Sequence, residues 1–219
     1  MAISKLNFNS LNVTPTASKG IGFDSGADDL EASFSGGSMT FIKKLTASSD
    51  GTLSFVDGAD GVVLDSTYKE YVFTFNNIHP ETDNVTLQVG FRDGDTNYDA
   101  VKTSTSFRAY HNEADGSTTL AFTSGEAQAQ STDYQVLSLG GVGADADQCT
   151  SGSLTLFNPS STTFVKHFIM RKNMAAQDDY SLESNVAGYC NTTAAIDGVQ
   201  FKMSSGDIDA GTITLYGIN

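Results

Sequence analysis

The sequence predicts an all-β protein: an antiparallel β-sandwich, jelly-roll-like, with an extended N-terminal arm. Three observations carry this expectation. Apolar residues alternate with period two, as in YKEYVFTFNNI (residues 68–78), where Tyr71, Phe73 and Phe75 share one face and Val72 and Thr74 the other. Gly, Ser, Thr, Asn and Asp recur between short apolar runs and mark turns at roughly 8–12-residue spacing. Segments with helical periodicity are scarce, so the alternating helices of a parallel α/β sheet are missing.

Taken in order, residues 1 to 35 are rich in Ser, Asn, Gly and Asp, with isolated Leu6, Phe8, Leu11, Ile21 and Phe23. They are expected to form a docking arm ahead of a sandwich domain, 36–219. Strands are predicted at MTFIKKL (39–45) and TLSFV (52–56), around a TASSDG turn, then at 68–78 and at VTLQVGF (85–91). SFRAYHN (106–112) and TTLAF (118–122) read as a hairpin about Glu-Ala-Asp-Gly. YQVLSL (134–139), SLTLF (153–157), FVKHFIMR (164–171), VQFKM (199–203) and TITLYGI (212–218) follow, with NVAGYCN a short strand inside 173–195. Some ten to twelve strands exceed what one flat open sheet comfortably holds. Two packed sheets would bury the aromatic faces and leave few edges. No repeat at the periods of solenoids or propellers is present.

With 219 residues, 39% of them apolar, the chain is long enough for one large domain or a domain with an arm. Lys and Arg number 12 against 26 Asp and Glu, a formal charge of -14. A nucleic-acid or anionic-lipid partner held by a broad face is thereby disfavoured, because such binding rests on cations displacing counterions. No apolar run approaches the roughly 20 residues of a membrane span, so no insertion is expected. The N-terminus lacks an apolar signal core, which predicts folding in a cytosol. Cys149 and Cys190 are accordingly expected as two free thiols, and neither sits in a CxxC or beside a His. Asn12, Asn84 and Asn191 head Asn-X-Thr triplets that are read as chance.

The segment DGDTNYD (Asp93–Asp99) invites a calcium reading. An EF-hand loop needs Gly sixth and Glu twelfth, and those places hold Tyr98 and Ser104. It is read as a polar hairpin tip, with Tyr98 as a lid over the core. GVGADA (141–146) matches a G-x-G-x-x-A string but opens no helix that would hold a pyrophosphate, and is expected to be a flexible polar loop. His79, His111 and His167 show no metal-binding spacing. No Gly-X-Ser-X-Gly elbow occurs. Glu113, Asp115 and Asp178 are carboxylates of the kind a glycosidase holds about 5–10 Å apart, a separation sequence does not fix. No catalytic, cofactor or metal residue is assigned, no cofactor is expected, and the chain is read as non-enzymatic. Without Trp, a sugar platform would fall to Tyr98, Tyr110, Tyr134, Tyr180 or Tyr189, each expected to pack with its hydroxyl at the rim.

The arm SLNVTPTASKGIGF, the block YKEYVFTFNNIHPETD, the phrases FRAYHNEADG and FNPSSTTFVKHF, and the ending IDGVQFKMSSGDIDAGTITLYGI resemble a family of marine bacteriophage proteins (cyanophage/pelagiphage-type). Members are described as virion structural or tail-fibre-like proteins, and the resemblance runs from about Ser10 to Ile218. It implies a non-enzymatic virion structural protein on the particle exterior, assembled in the host cytoplasm. The expected role is a capsid decoration or short fibre or appendage subunit, attached through residues 1–35 to other virion proteins of capsid or tail. A homotrimer is expected, with symmetric association shielding strand edges such as the one ending at Ile218. No heptad shaft is present, which favours a compact knob. The alternative is a tail-associated receptor- or glycan-binding protein whose loops 92–99 and 140–150 touch a host-surface glycan. A glycan-cleaving enzyme is the third reading.

Overall fold

In the computed structural model the described residues are 20–23, 30–34 and 38–219, with side chains from Ser38 onward. The chain divides into two units, Met1–Thr40 and Phe41–Asn219. In the first, β1 (Gly20–Phe23) and β2 (Leu30–Phe34) pair antiparallel, with a register shift between Gly20 and Gly22. Part of the expected extended arm is thus a hairpin. Its other residues, including Leu6, Phe8, Leu11 and Asn12, lie outside the described residues.

From Met39 onward come β3 (Met39–Thr46), β4 (Leu53–Val56), β5 (Glu70–Pro80), β6 (Leu87–Arg92), β7 (Lys102–Asn112) and β8 (Thr118–Phe122). They are followed by β9 (Gln135–Val136), β10 (Thr150–Phe157), β11 (Lys166–Ala176), β12 (Tyr180–Cys190), β13 (Gly198–Met203) and β14 (Ile208–Ile218). No helix occurs among the described residues. An eight-stranded sheet runs β3-β14-β5-β10-β11-β12-β7-β8 and a four-stranded sheet β4-β13-β6-β9. The described pairings are antiparallel.

Eight of these strands (β3, β4, β5, β6, β9, β10, β13 and β14) form two four-stranded arrays. In chain order, one array runs first, eighth, third, sixth and the other second, seventh, fourth, fifth. This is the double Greek key of a jelly roll. The other four strands extend the large sheet beyond β10, in the order β11-β12-β7-β8.

Aromatic side chains join the two sheets. Phe73 and Phe75 on β5 meet Phe201 on β13 edge-on at 5.5 and 5.3 Å, and Phe55 on β4 meets Phe73 at 5.3 Å. Phe91 on β6 lies 5.1 Å from Phe168 on β11. All six are at most 1% exposed. Burying each contributes about 1.5–3 kcal/mol, and edge-to-face contact about 0.5–1.5 kcal/mol more per pair. The alternation read in residues 68–78 therefore faces as expected, with Tyr71, Phe73 and Phe75 inward.

Several expectations are corrected. The strand ending at Ile218 is no edge: β14 lies between β3 and β5, and the large sheet ends at β3 and β8. Residues 173–195 hold far more than a short strand, because β11 continues to Ala176 and pairs along its length with the 11-residue β12. Asp179, at φ 58°, closes their turn. DGDTNYD turns no hairpin. It carries the chain from β6 in the small sheet to β7 in the large one, and Ala100 N donates to Phe91 O at 3.0 Å on the way.

YQVLSL keeps only two strand residues, Gln135 and Val136. Beyond them the chain becomes a strap over the inner face of the extension. Leu139 N donates to Ser184 Oγ at 3.1 Å, and Leu137 and Leu139 are buried beneath it.

Candidate functional site

The strand β11, KHFIMRKNMAA, alternates between buried and exposed positions over its whole length. This sends Lys166, Phe168, Met170, Lys172, Met174 and Ala176 inward, lysines included. β7 likewise turns Lys102 and Arg108 inward. The result is an inner face with two cationic rows set by strand register. One row is Lys166–Cys190–Lys102 and the other Lys172–Ser184–Arg108.

Burying an ammonium is costly unless its protons find acceptors. Lys166 Nζ donates to the carbonyls of Ser161 (3.0 Å), Phe164 (3.3 Å) and Thr192 (2.9 Å), which fills its three donors. Lys102 Nζ donates to Ala100 O at 2.7 Å. Burial lowers the pKa of both below the usual lysine value. Between them, burial pushes the Cys190 thiol up to about 12, against the pull of the two lysines. It is an inert packed thiol. Cys149 and Cys190 are free, and they stand near opposite ends of β11, beside Ala175 and Lys166 respectively.

The second row borders a cleft. Lys172 Nζ donates to Thr150 Oγ1 at 2.7 Å and lies 3.5 Å from Met174 Sδ, and full burial brings its pKa down to about 7. Arg108 Nη1 donates to Leu139 O at 2.5 Å, while its Nε is buried with no hydrogen-bond partner. No carboxylate pairs with either cation among the described residues. The next inner row is Met174–Leu182–Tyr110, and the one after it Ala176–Tyr180–Asn112. Here the strap passes over Met174 and Leu182 at Gly140 and goes on to bridge Ala176 at Val142. A cleft of about 300 Å³ opens, walled by Arg108, Leu182, Tyr110 and Tyr180, with Asn84, Gln177 and Asp178 also lining it. The rings of Tyr110 and Tyr180 meet edge-on at 5.0 Å, and the Arg108 guanidinium stands 5.6 Å from the Tyr110 ring centre. Gly141 sits tightly against Asn84: a Cβ there would fall 3.0 Å from the Asn84 Cα and would displace its side-chain amide.

The candidates singled out in the sequence separate into distinct places. Tyr110, Tyr180 and Asp178 come together in the cleft. Glu113 and Asp115 sit on the β7–β8 turn, where Asp115 meets His111 at 2.9 Å. His79 Nδ1 is 3.6 Å from Asp209, and the His167 ring lies 6.0 Å from Tyr189. Tyr98 and Tyr134 lie against Gly90 on the outer side of the small sheet, so Tyr98 covers that sheet and not the core between the sheets. Lys202 Nζ stands 4.3 Å above the Tyr134 ring. In DGDTNYD, Asp95 Oδ1 accepts from Asn97 N at 2.6 Å, a local turn contact. Among the described residues no three His, Cys, Asp or Glu side chains group as a metal site.

GVGADA is no free loop. Val142 is fully buried and bridges both Val85 and Ala176, because the strap ends there as a short extra rung. Sequence reasoning passed over Arg108, Lys172, Lys102 and Lys166. The available signal was the K-F-M-K-M-A series at alternate positions of β11.

A second feature is the outer face of the large sheet. One row reads Tyr216–Val72–Thr155–Ile169–Ala187–Thr105, and the next Thr74–Ser153–Arg171–Asn185–Phe107–Phe122. The row beyond ends in Ala109–Leu120. Phe107, Leu120, Phe122 and Ile169 are 45 to 76% exposed. Across these rows only Arg171 and Glu183 carry charge, and they neutralise each other at 2.6 Å. Compared with known proteins, the chain matches no protein-family model, no curated protein and no solved structure.

Proposed function

We propose that the protein is a non-enzymatic structural component of a bacteriophage particle, carried on the exterior as a decoration or short appendage subunit. It is attached to its neighbours through residues 1–35 and associates with copies of itself. The resemblance to marine phage virion proteins supports the setting. The observation that carries the associative role is the near-neutral set of rows on the outer face of the eight-stranded sheet, where the one pair of charges, Arg171 and Glu183, offset each other. A chain of charge -14 repels its copies over most of its surface. The three rows from Tyr216 to Leu120 are where a second copy approaches without that penalty.

With strands about 4.8 Å apart and about 3.3 Å of rise per residue, the patch covers about 700 Å². That is near the ~800 Å² per partner of a standard interface. Within it Ile169, Phe107, Phe122 and Leu120 form an exposed apolar group, the kind of feature that marks an association surface. A density map of the intact particle tests the setting. The expected result is the sandwich on the outside with residues 1–35 against a capsid or tail neighbour. Absence from the particle, or attachment unchanged after deleting 1–35, contradicts it.

The cleft favours a second reading, contact with a host-surface glycan. Of the loops expected to make that contact, the one at 140–150 supplies Gly140 and Gly141 to the cleft, whereas 92–99 lies elsewhere.

A further inference from the structure

We propose that the cleft between Arg108, Tyr110, Tyr180 and the Gly140–Gly141 corner binds a sugar unit bearing a carboxylate, as in a uronic-acid-containing polysaccharide. This inference rests on the glycan-contact reading and names the ligand class that reading leaves open.

Charge is the first support. Arg108 lines the cleft, and Lys172 lies buried two strands behind it in the same register row. Neither has a carboxylate partner among the described residues, although the chain carries 26 Asp and Glu. Arg108 Nε is buried with its hydrogen-bonding capacity unused. A guanidinium presents a planar fork that matches a carboxylate, and such charge-assisted bonds are the strong ones. The Nε has almost no accessible surface, so a carboxylate in the cleft meets it once the Arg108 side chain shifts, and that contact supplies the partner whose lack is costly.

Shape and chemistry of the walls supply the second support. Tyr110 and Tyr180 offer apolar ring surface with polar tips, suited to the C–H face of a pyranose beside its hydroxyls. Asn84 and Gln177 line the cleft with amides that both donate to and accept from hydroxyls, and Asp178 adds a carboxylate that accepts from them. A volume of about 300 Å³ is at the small end of ligand sites, room for a single ring and not for a large cofactor. Asp178 is exposed, so its charge is screened by water, whereas the Arg108 Nε is not.

Calorimetric titration of the full chain with glucuronic acid, glucose and acetate, alongside amide chemical-shift mapping, tests this. Glucuronic acid is expected to shift the Gly140 and Gly141 amides and to bind at least tenfold tighter than glucose or acetate. Arg108→Gln is expected to weaken glucuronic acid about 10- to 100-fold, the range for a hydrogen bond to a charged group. Tyr180→Ala, remote from the strap contact to Leu139, should weaken both sugars; it also removes the edge-on contact with Tyr110, so its melting curve is used to choose a titration temperature at which it is folded. Equal binding of glucose and glucuronic acid at the cleft overturns the acidic class and leaves glycan contact standing. Acetate binding as well as glucuronic acid reduces the site to a simple anion site and overturns the sugar assignment. If no saccharide in a panel of neutral and acidic bacterial polysaccharides moves the cleft amides, the glycan reading itself fails.

Discussion

Lys172 shows how one side chain ties the fold to its solution behaviour. Its ammonium is wholly buried with a hydroxyl and a thioether for company, and its pKa falls to about 7 from an ordinary 10.5. Between pH 7 and 10.5 the unfolded chain therefore binds a proton that the native one lacks. Stability from this residue rises with pH across that window and is lost below it. Replacing it by Met is expected to stabilise the protein on the order of 3 kcal/mol at pH 6, with the advantage shrinking toward zero by pH 10. Urea unfolding of both proteins at several pH values checks this, and a pH-independent difference would refute it. Thr150 keeps a partner in the variant, since its hydroxyl also donates to Asn173 O at 2.9 Å. Lys166 behaves differently because three carbonyls cage it. Truncating it would leave those carbonyls unserved.

At the scale of elements, β6 illustrates how the small sheet is sealed on its outer side. Gly90 lies beneath Tyr98 and Tyr134, and a Cβ there would come within 2.7 Å of both. Gly90→Ala is expected to cost about 1–3 kcal/mol by overpacking, read from the urea midpoint, and a loss below 0.5 kcal/mol would speak against the strap-like role of the two tyrosines. Period-two alternation made β5, β6 and β13 legible from sequence, since their inward residues are aromatic or aliphatic. It failed where the inward set is polar. In β7 the inward positions hold Lys102, Ser106 and Arg108, so its first four residues passed for loop. β12 hides behind Ser184 and Gly188 in the same way. The segment after Val136 read as strand because Leu137 and Leu139 alternate with Ser138. Its backbone instead spends its bonds on Leu87, Ser184 and Arg108. The cleft was half visible: Tyr110, Tyr180 and Asp178 were noted singly, but no local pattern reveals that the strap, the β11–β12 turn and Asn84 converge.

From β3 to β14 the chain combines a jelly roll with a four-strand extension, and the extension makes both candidate surfaces. Its inner face, only partly covered by the strap, carries the cationic rows and the cleft. Its outer face prolongs the sheet into a near-neutral plane of Ile169, Phe107, Phe122 and Leu120 on a strongly acidic protein. Placing a carboxylate on that plane leaves the core untouched, because these side chains point outward, but sets like charge against like in any assembly of copies. Sedimentation equilibrium of the wild type beside Phe122→Asp and Ile169→Asp is the most direct test of the associative role. The wild type is expected to be a trimer at micromolar concentration, and both variants monomers with unchanged circular dichroism. A wild type that stays monomeric, or variants that assemble as tightly as the wild type, would contradict it.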